Sequence, residues 1–183
     1  MDSINTSIKK AAIISGVSLL IMTILSVLIF PSLKATTLSI IGIAIIIILD
    51  VVVAITLYQI LKPSNNNLSL LMAIFRIVYA VIFTIALIKM PDLNAFNYIW
   101  IRGLLVFGLH LLLLGVLIYH STYIPKWIGA LVVIASFGYI IDSIGAYFGY
   151  SLQIGMFTFF GELILMAWLL IKGSRIQIRT NLK

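Results

Sequence analysis

The chain of 183 residues has no cysteine, and that removes disulfides, thiolate metal sites and thiol redox chemistry from consideration. Acidic residues are almost as scarce: there are five Asp and Glu against twelve Lys and Arg, and charged residues make up only 9% of the sequence. So little charge, together with 63% hydrophobic residues and a mean hydropathy of +1.24, excludes a soluble globular domain and identifies an integral membrane protein. No polar stretch is long enough to fold as a separate soluble module, so residues 1–183 form a single transmembrane domain. Familiar catalytic signatures are missing too, among them HExxH, GxSxG, a phosphate-binding glycine loop and a dinucleotide fingerprint. Nothing in the sequence calls for a cofactor, and one interior histidine with carboxylates is atypical for zinc, so no metal is expected.

The apolar runs define six spans, at about 11–30, 38–61, 68–88, 98–119, 127–147 and 152–171, followed by a short basic tail at 173–183. The fold class is therefore all-α, a polytopic bundle of six transmembrane helices. The four prolines, Pro31, Pro63, Pro91 and Pro125, fall between spans, where a missing N–H does no harm. The first run is too long for a signal-peptide core and lacks a convincing cleavage site, so it reads as a helix of the bundle. Ser15, Ser18, Met22 and Ser26 line one side of it, a packing stripe. Asn67 is the expected N-cap of the third span. Phe96, Tyr98 and Trp100 at one end of the fourth span, and Tyr119, Tyr123 and Trp127 at the other, read as interfacial aromatic belts.

Six spans put both termini on one side. Lys9, Lys10, Lys62, Lys126, Lys172, Arg175, Arg179 and Lys183 lie there, against only Lys34 and Lys89 opposite, so both termini are expected in the cytoplasm. The net charge of +7 thus reads as topology and not as nucleic-acid binding. Asn5 and Asn67 match a glycosylation pattern that has no meaning on that side.

Six ionisable residues remain inside apolar runs: Asp50, Arg76, Arg102, His110, Asp142 and Glu162. Each costs several kcal/mol in hydrocarbon unless it finds a partner or a wet cavity. At a rise of about 1.5 Å per residue, Arg76, His110, Glu162 and Asp50 lie roughly 12 to 17 Å from the terminal side, one tier near the midplane. Asp142 and Arg102 lie at roughly 24 and 27 Å and are expected to form an outer ion pair between the fourth and fifth helices. In the midplane tier two carboxylates face one arginine, so neutrality requires a proton on His110 or on one carboxyl group. Tyr79 shares a face with Arg76, and Gly138, Gly145 and Gly149 share one with Asp142. Gly155, Thr158 and Met166 share one with Glu162. His110, placed between Asp50 and Glu162, is the expected carrier of pH dependence; His120 reads as interfacial.

The strings LDVVVAITLYQILKPSNNNLSLLMAIFRIVYA, FGLHLLLLGVLIYHSTYIPKWIGALVVIASFGYIIDS and GELILMAWLLIKG resemble a family of small bacterial membrane proteins known as domain of unknown function 4386. FRIVYA, GLHLLLLG and YIPKWIG are the most specific segments, and the likeness covers helices two to six. The resemblance implies counterparts of Asp50, Arg76, His110, Asp142 and Glu162 in matching motifs, a multi-span fold and a bacterial cell membrane. At His120 the family pattern more often reads Arg. It implies no activity.

Three function classes follow. The first is a small-ligand or proton-coupled binding and transport module built on the midplane site. The second is an intramembrane enzyme acting on a lipid or lipid-linked substrate, with His110 as base or metal ligand; the third is an accessory, immunity or regulatory membrane protein whose buried charges are structural. The partners implied are membrane lipids, a small-molecule or lipid ligand and, for a carrier this small, a second copy in a homo-oligomer. Nucleic acid is not among them.

Overall fold

The computed structural model describes residues 2–176, so the expected tail positions Arg179 and Lys183 lie outside the described residues. The chain forms helices α1 (Asp2–Ile29), α2 (Thr37–Leu61), α3 (Asn66–Ile88), α4 (Leu93–His120), α5 (Lys126–Tyr147), α6 (Gly155–Thr158) and α7 (Phe160–Lys172). Short 3₁₀ turns follow α1 at Phe30–Ser32 and α7 at Gly173–Arg175. There is no strand among the described residues. Six segments are long and apolar enough to cross a membrane, with α6 and α7 together making the sixth, so the protein is a multi-pass membrane protein.

Local chemistry sets the ends of these helices. The Thr36 hydroxyl accepts from the Ser39 N–H at 3.3 Å, and the Asn65 carbonyl oxygen accepts from Leu68 N–H at 3.0 Å. The N-cap of α3 is thus Asn65 and not Asn67, because three consecutive asparagines all suit the role and the chain turns at the first. Asp92 accepts from the N–H groups of Asn94 and Ala95 and starts α4 at Leu93, five residues before the expected 98. The sixth span begins late, at Gly155, because Gly149 (φ 83°) and Gln153 (φ 57°) both adopt the left-handed region and keep the preceding loop out of a helix.

The helices form a closed ring in which each packs on its neighbours in sequence and α7 returns to α1. A Cβ placed on Gly173 would sit 2.8 Å from that of Ala12, so the two ends of the chain meet on one face of the bundle, here called the terminal side. Small residues let the backbones of α4 and α5 approach closely. A Cβ on Gly115 would lie 2.7 Å from the Gly129 carbonyl oxygen and 2.8 Å from the Val133 nitrogen. Gly161 serves the same purpose between α7 and α5, where an added Cβ would run into the Leu131 carbonyl. Ser15 and Ser18 of the α1 stripe are buried, as a packing role requires.

Loops are tied as well. Tyr123, between α4 and α5, donates its hydroxyl to the Ile60 carbonyl at 2.7 Å near the end of α2 and lies 2.9 Å from Ser64 Oγ. Burial pushes its phenol above the ordinary value, so it stays a protonated donor. Tyr119 and Trp127 are exposed, in keeping with a belt at that end. The other belt is a correction: Tyr98 is exposed, but Phe96 is buried and Trp100 turns inward to stack on Phe30 with ring centroids 4.6 Å apart. The cause is the early start of α4, which makes these residues part of a helix with an inner face.

The α4–α5 seam makes one measurable demand. Gly115→Ala forces two backbones apart, and overpacking of this kind costs about 1–3 kcal/mol. The variant should melt at a lower temperature than the wild type in detergent, and an unchanged melting temperature would mean that the helices do not touch there.

Candidate functional site

Arg76, on α3, is 1% exposed, and its charge organises the interior of the ring. Its Nη2 lies 2.7 Å from Asp50 Oδ1 on α2, a buried ion pair. Its Nη1 lies 3.0 Å from His110 Nε2 on α4. The other ring nitrogen, Nδ1, lies 2.9 Å from the Met72 carbonyl oxygen, one turn before Arg76 on α3. Asp50 and His110 are as deeply buried as the arginine. The face of Phe107 lies beneath the guanidinium, 5.5 Å from its central carbon.

These contacts assign the histidine proton. A carbonyl oxygen only accepts, so Nδ1 carries the hydrogen; a guanidinium only donates, so Nε2 is bare and accepts. His110 is therefore a neutral imidazole with both nitrogens in use. It lies beside Arg76 and not between Asp50 and Glu162 as the sequence suggested, because α3 lies between α2 and α4 in the ring. A proton added to Nε2 would point at the guanidinium, so the neutral imidazole serves as an acceptor that holds Arg76.

Glu162 joins the tier from α7 without touching Arg76. The two line a common small cavity with Leu19, Leu57, Leu111, Leu114 and Leu165. Glu162 Oε1 and Arg76 Nε are both buried with no hydrogen-bond partner among the described residues. The Tyr139 hydroxyl from α5 lies beside the Glu162 carboxyl group. On the side away from the termini, Tyr79, Phe83, Phe96 and Trp100 form a stack of rings, and Trp100 Nε1 donates to the Tyr79 hydroxyl at 3.2 Å. All four expected midplane residues thus converge.

The expected outer pair does not form. Arg102 donates from Nη2 to the Ala146 carbonyl at 2.9 Å and from Nη1 to the Tyr98 carbonyl at 3.2 Å, with its guanidinium 3.6 Å over the Tyr98 ring. Asp142 instead accepts from the N–H groups of Ile154, at 2.6 Å, and Gly155, at 2.7 Å. Both groups found backbone partners: the Ala146 carbonyl at the end of α5 accepts from the cation as well as from the Gly149 N–H, and the start of the sixth span offers free N–H groups to the anion. Arg102 still joins α4 to α5, helped by Ser143 Oγ donating to the Arg102 carbonyl at 2.8 Å. Among the described residues, no group of three or more His, Cys, Asp and Glu is placed to hold a metal.

Tyr139, Phe107 and the Met72 carbonyl are parts of the site that the sequence did not disclose. Phe107 stands three residues before His110 and Tyr139 three before Asp142, so helical spacing offered a hint, but aromatic residues are too common here for spacing to select them.

Thermodynamic cycles distinguish the two tiers. Arg76→Met alone leaves Asp50 unpaired in the interior at a cost of about 3–5 kcal/mol, and adding Asp50→Leu should restore much of it. Arg102→Ala and Asp142→Ala share no contact, so their effects should add to within about 0.5 kcal/mol. Unfolding in detergent reads both cycles, and additivity at Asp50 and Arg76 would contradict the ion pair.

Comparison with known proteins follows this geometry. The family profile described as Domain of unknown function (DUF4386) matches residues 31–95 and 92–173. An uncharacterized protein of the archaeon Archaeoglobus fulgidus is 54% identical over 156 residues, covering 85% of this chain and 96% of the relative. That relative extends the resemblance beyond bacteria. No solved structure matches the chain. With most of its length matched, and with Asp50, Arg76, His110 and Glu162 all inside the matched segments, the chain belongs to the DUF4386 family of multi-pass membrane proteins.

Proposed function

We propose that the protein is a binding and transport module that takes up a proton at the midplane of a prokaryotic cell membrane and moves it, with both termini in the cytoplasm. The observation that carries this reading is that Arg76 and Glu162, whose Nε and Oε1 atoms are buried with no hydrogen-bond partner among the described residues, line one small cavity between α1, α2, α3, α4 and α7. Packing a bundle needs at most one neutral ion pair, and Asp50 with Arg76 already provides it. A second carboxyl group at the same cavity adds nothing to packing and costs free energy in hydrocarbon, which is the signature of a site kept for function. The orientation rests on the excess of Lys and Arg on the terminal side.

Two measurements test the reading. The natural chain has no cysteine, so Ser174→Cys and Asn94→Cys provide single labels at exposed positions on opposite sides. In intact cells an impermeant maleimide should label Asn94→Cys and spare Ser174→Cys; the reverse pattern would invert the orientation. For transport, proteoliposomes containing a trapped pH-sensitive dye and driven by a valinomycin potassium potential should acidify several-fold faster than protein-free vesicles. Wild-type vesicles that acidify at the protein-free rate would overturn the proton reading.

A further inference from the structure

We propose that Glu162 is the residue that holds the exchangeable proton, and that one water molecule bridges its Oε1 to Arg76 Nε–H across the cavity. The inference deepens the proton reading above by naming the group and the ligand at its site.

The groups facing Glu162 are Asp50 from α2, Arg76 and Tyr79 from α3 and Tyr139 from α5, whereas α1 contributes Leu19 and α4 contributes Leu111 and Leu114. His110 is neutral because both ring nitrogens are committed. Asp50 is in contact with the guanidinium, whereas among the described residues no cation lies within ion-pair distance of Glu162. Asp142 spends its oxygens on backbone N–H groups. The charges of the interior therefore sum to zero only when Glu162 carries a proton. Its position is set by Gly161, whose lack of a side chain seats this turn of α7 against the Leu131 carbonyl of α5.

Cavity chemistry selects the ligand. The space is about that of one water molecule, and a buried water needs two or more polar partners, here an Nε–H donor and a carboxyl oxygen. Five of the seven lining residues are leucines, which supply no oxygen. Metal cations held by oxygen need about six such ligands, so the cavity suits a proton and not a sodium or calcium ion. When the Glu162 O–H bond breaks, its proton passes to the water and the electron pair stays on the carboxylate. The water gains the O–H bond that Glu162 loses, and uptake reverses this exchange.

Infrared spectroscopy of the purified protein in nanodiscs, recorded as the pH is varied, tests this without any transport assay. The wild type should show a protonated-carboxyl C=O band that shifts down in D₂O, reporting exchange through water. Glu162→Gln should lose the band, His110→Gln should keep it, and Glu162→Asp should move it. Asp50→Asn should also lose it, because Arg76 then takes Glu162 as its counter-anion. Persistence of the band in Glu162→Gln, or its absence from the folded wild type, would overturn the assignment; a band unmoved in D₂O would overturn the water bridge. A correct band pattern with no proton flux would overturn the transport reading alone, and flux with the band surviving in Glu162→Gln would overturn only the assignment to Glu162.

Discussion

An arginine side chain removed from water dictates much of this molecule. In hydrocarbon an unpaired guanidinium is costly, and Arg76 has no route to an interface from its place on α3. It is held by an anion on α2, an imidazole acceptor on α4 and an aromatic face beneath it, so three consecutive helices are committed to one charge. His110 in turn is fixed by the Met72 carbonyl of the helix that carries the arginine. The result is a closed loop of contacts, α3 to α4 and back, with α2 attached through Asp50. Such a network specifies which helices are neighbours as well as stabilising them.

Around this centre the bundle separates its two tasks. The α4–α5 seam and the contact of α7 with α5 rely on glycine and close backbone approach, which need no charge at all. Polar side chains bind backbone groups at helix ends: Asp142 the N–H groups at the start of the sixth span, Arg102 the Ala146 carbonyl at the end of α5, Tyr123 the Ile60 carbonyl near the end of α2. In the midplane cluster Arg76 and Glu162 keep buried polar atoms without a partner among the described residues and line a common small cavity. The stack of aromatic rings lies on the side of this cluster away from the termini.

The contrast between the tiers shows how far counting along helices can reach. Depth follows from the fixed rise per residue, so the assembly of Asp50, Arg76, His110 and Glu162 at one level was legible from positions alone. Depth does not reveal azimuth, nor whether a backbone group will compete for a side chain. Arg102 and Asp142 lie at similar depths on neighbouring helices yet ignore each other, because each is held by backbone groups at a helix end, Arg102 by the Ala146 carbonyl and Asp142 by the Gly155 N–H. Phe96 and Trp100 have the composition of an interfacial belt, but an α4 that starts five residues earlier turns both toward Phe83 in the interior.

By itself the sequence determined the membrane class, the six spans and the identity of the charges that must be buried, since these depend on composition and on runs of apolar residues read along one dimension. It also determined the loop positions, through proline and capping residues whose effects are local. The tertiary structure alone decided that Arg76 sits between Asp50 and His110, that His110 is neutral, and that Glu162 faces Arg76 across a cavity and not in an ion pair. Those outcomes depend on the rotation of each helix about its axis and on which neighbour the ring supplies. Both are set by packing between segments far apart in the chain, which no local pattern encodes.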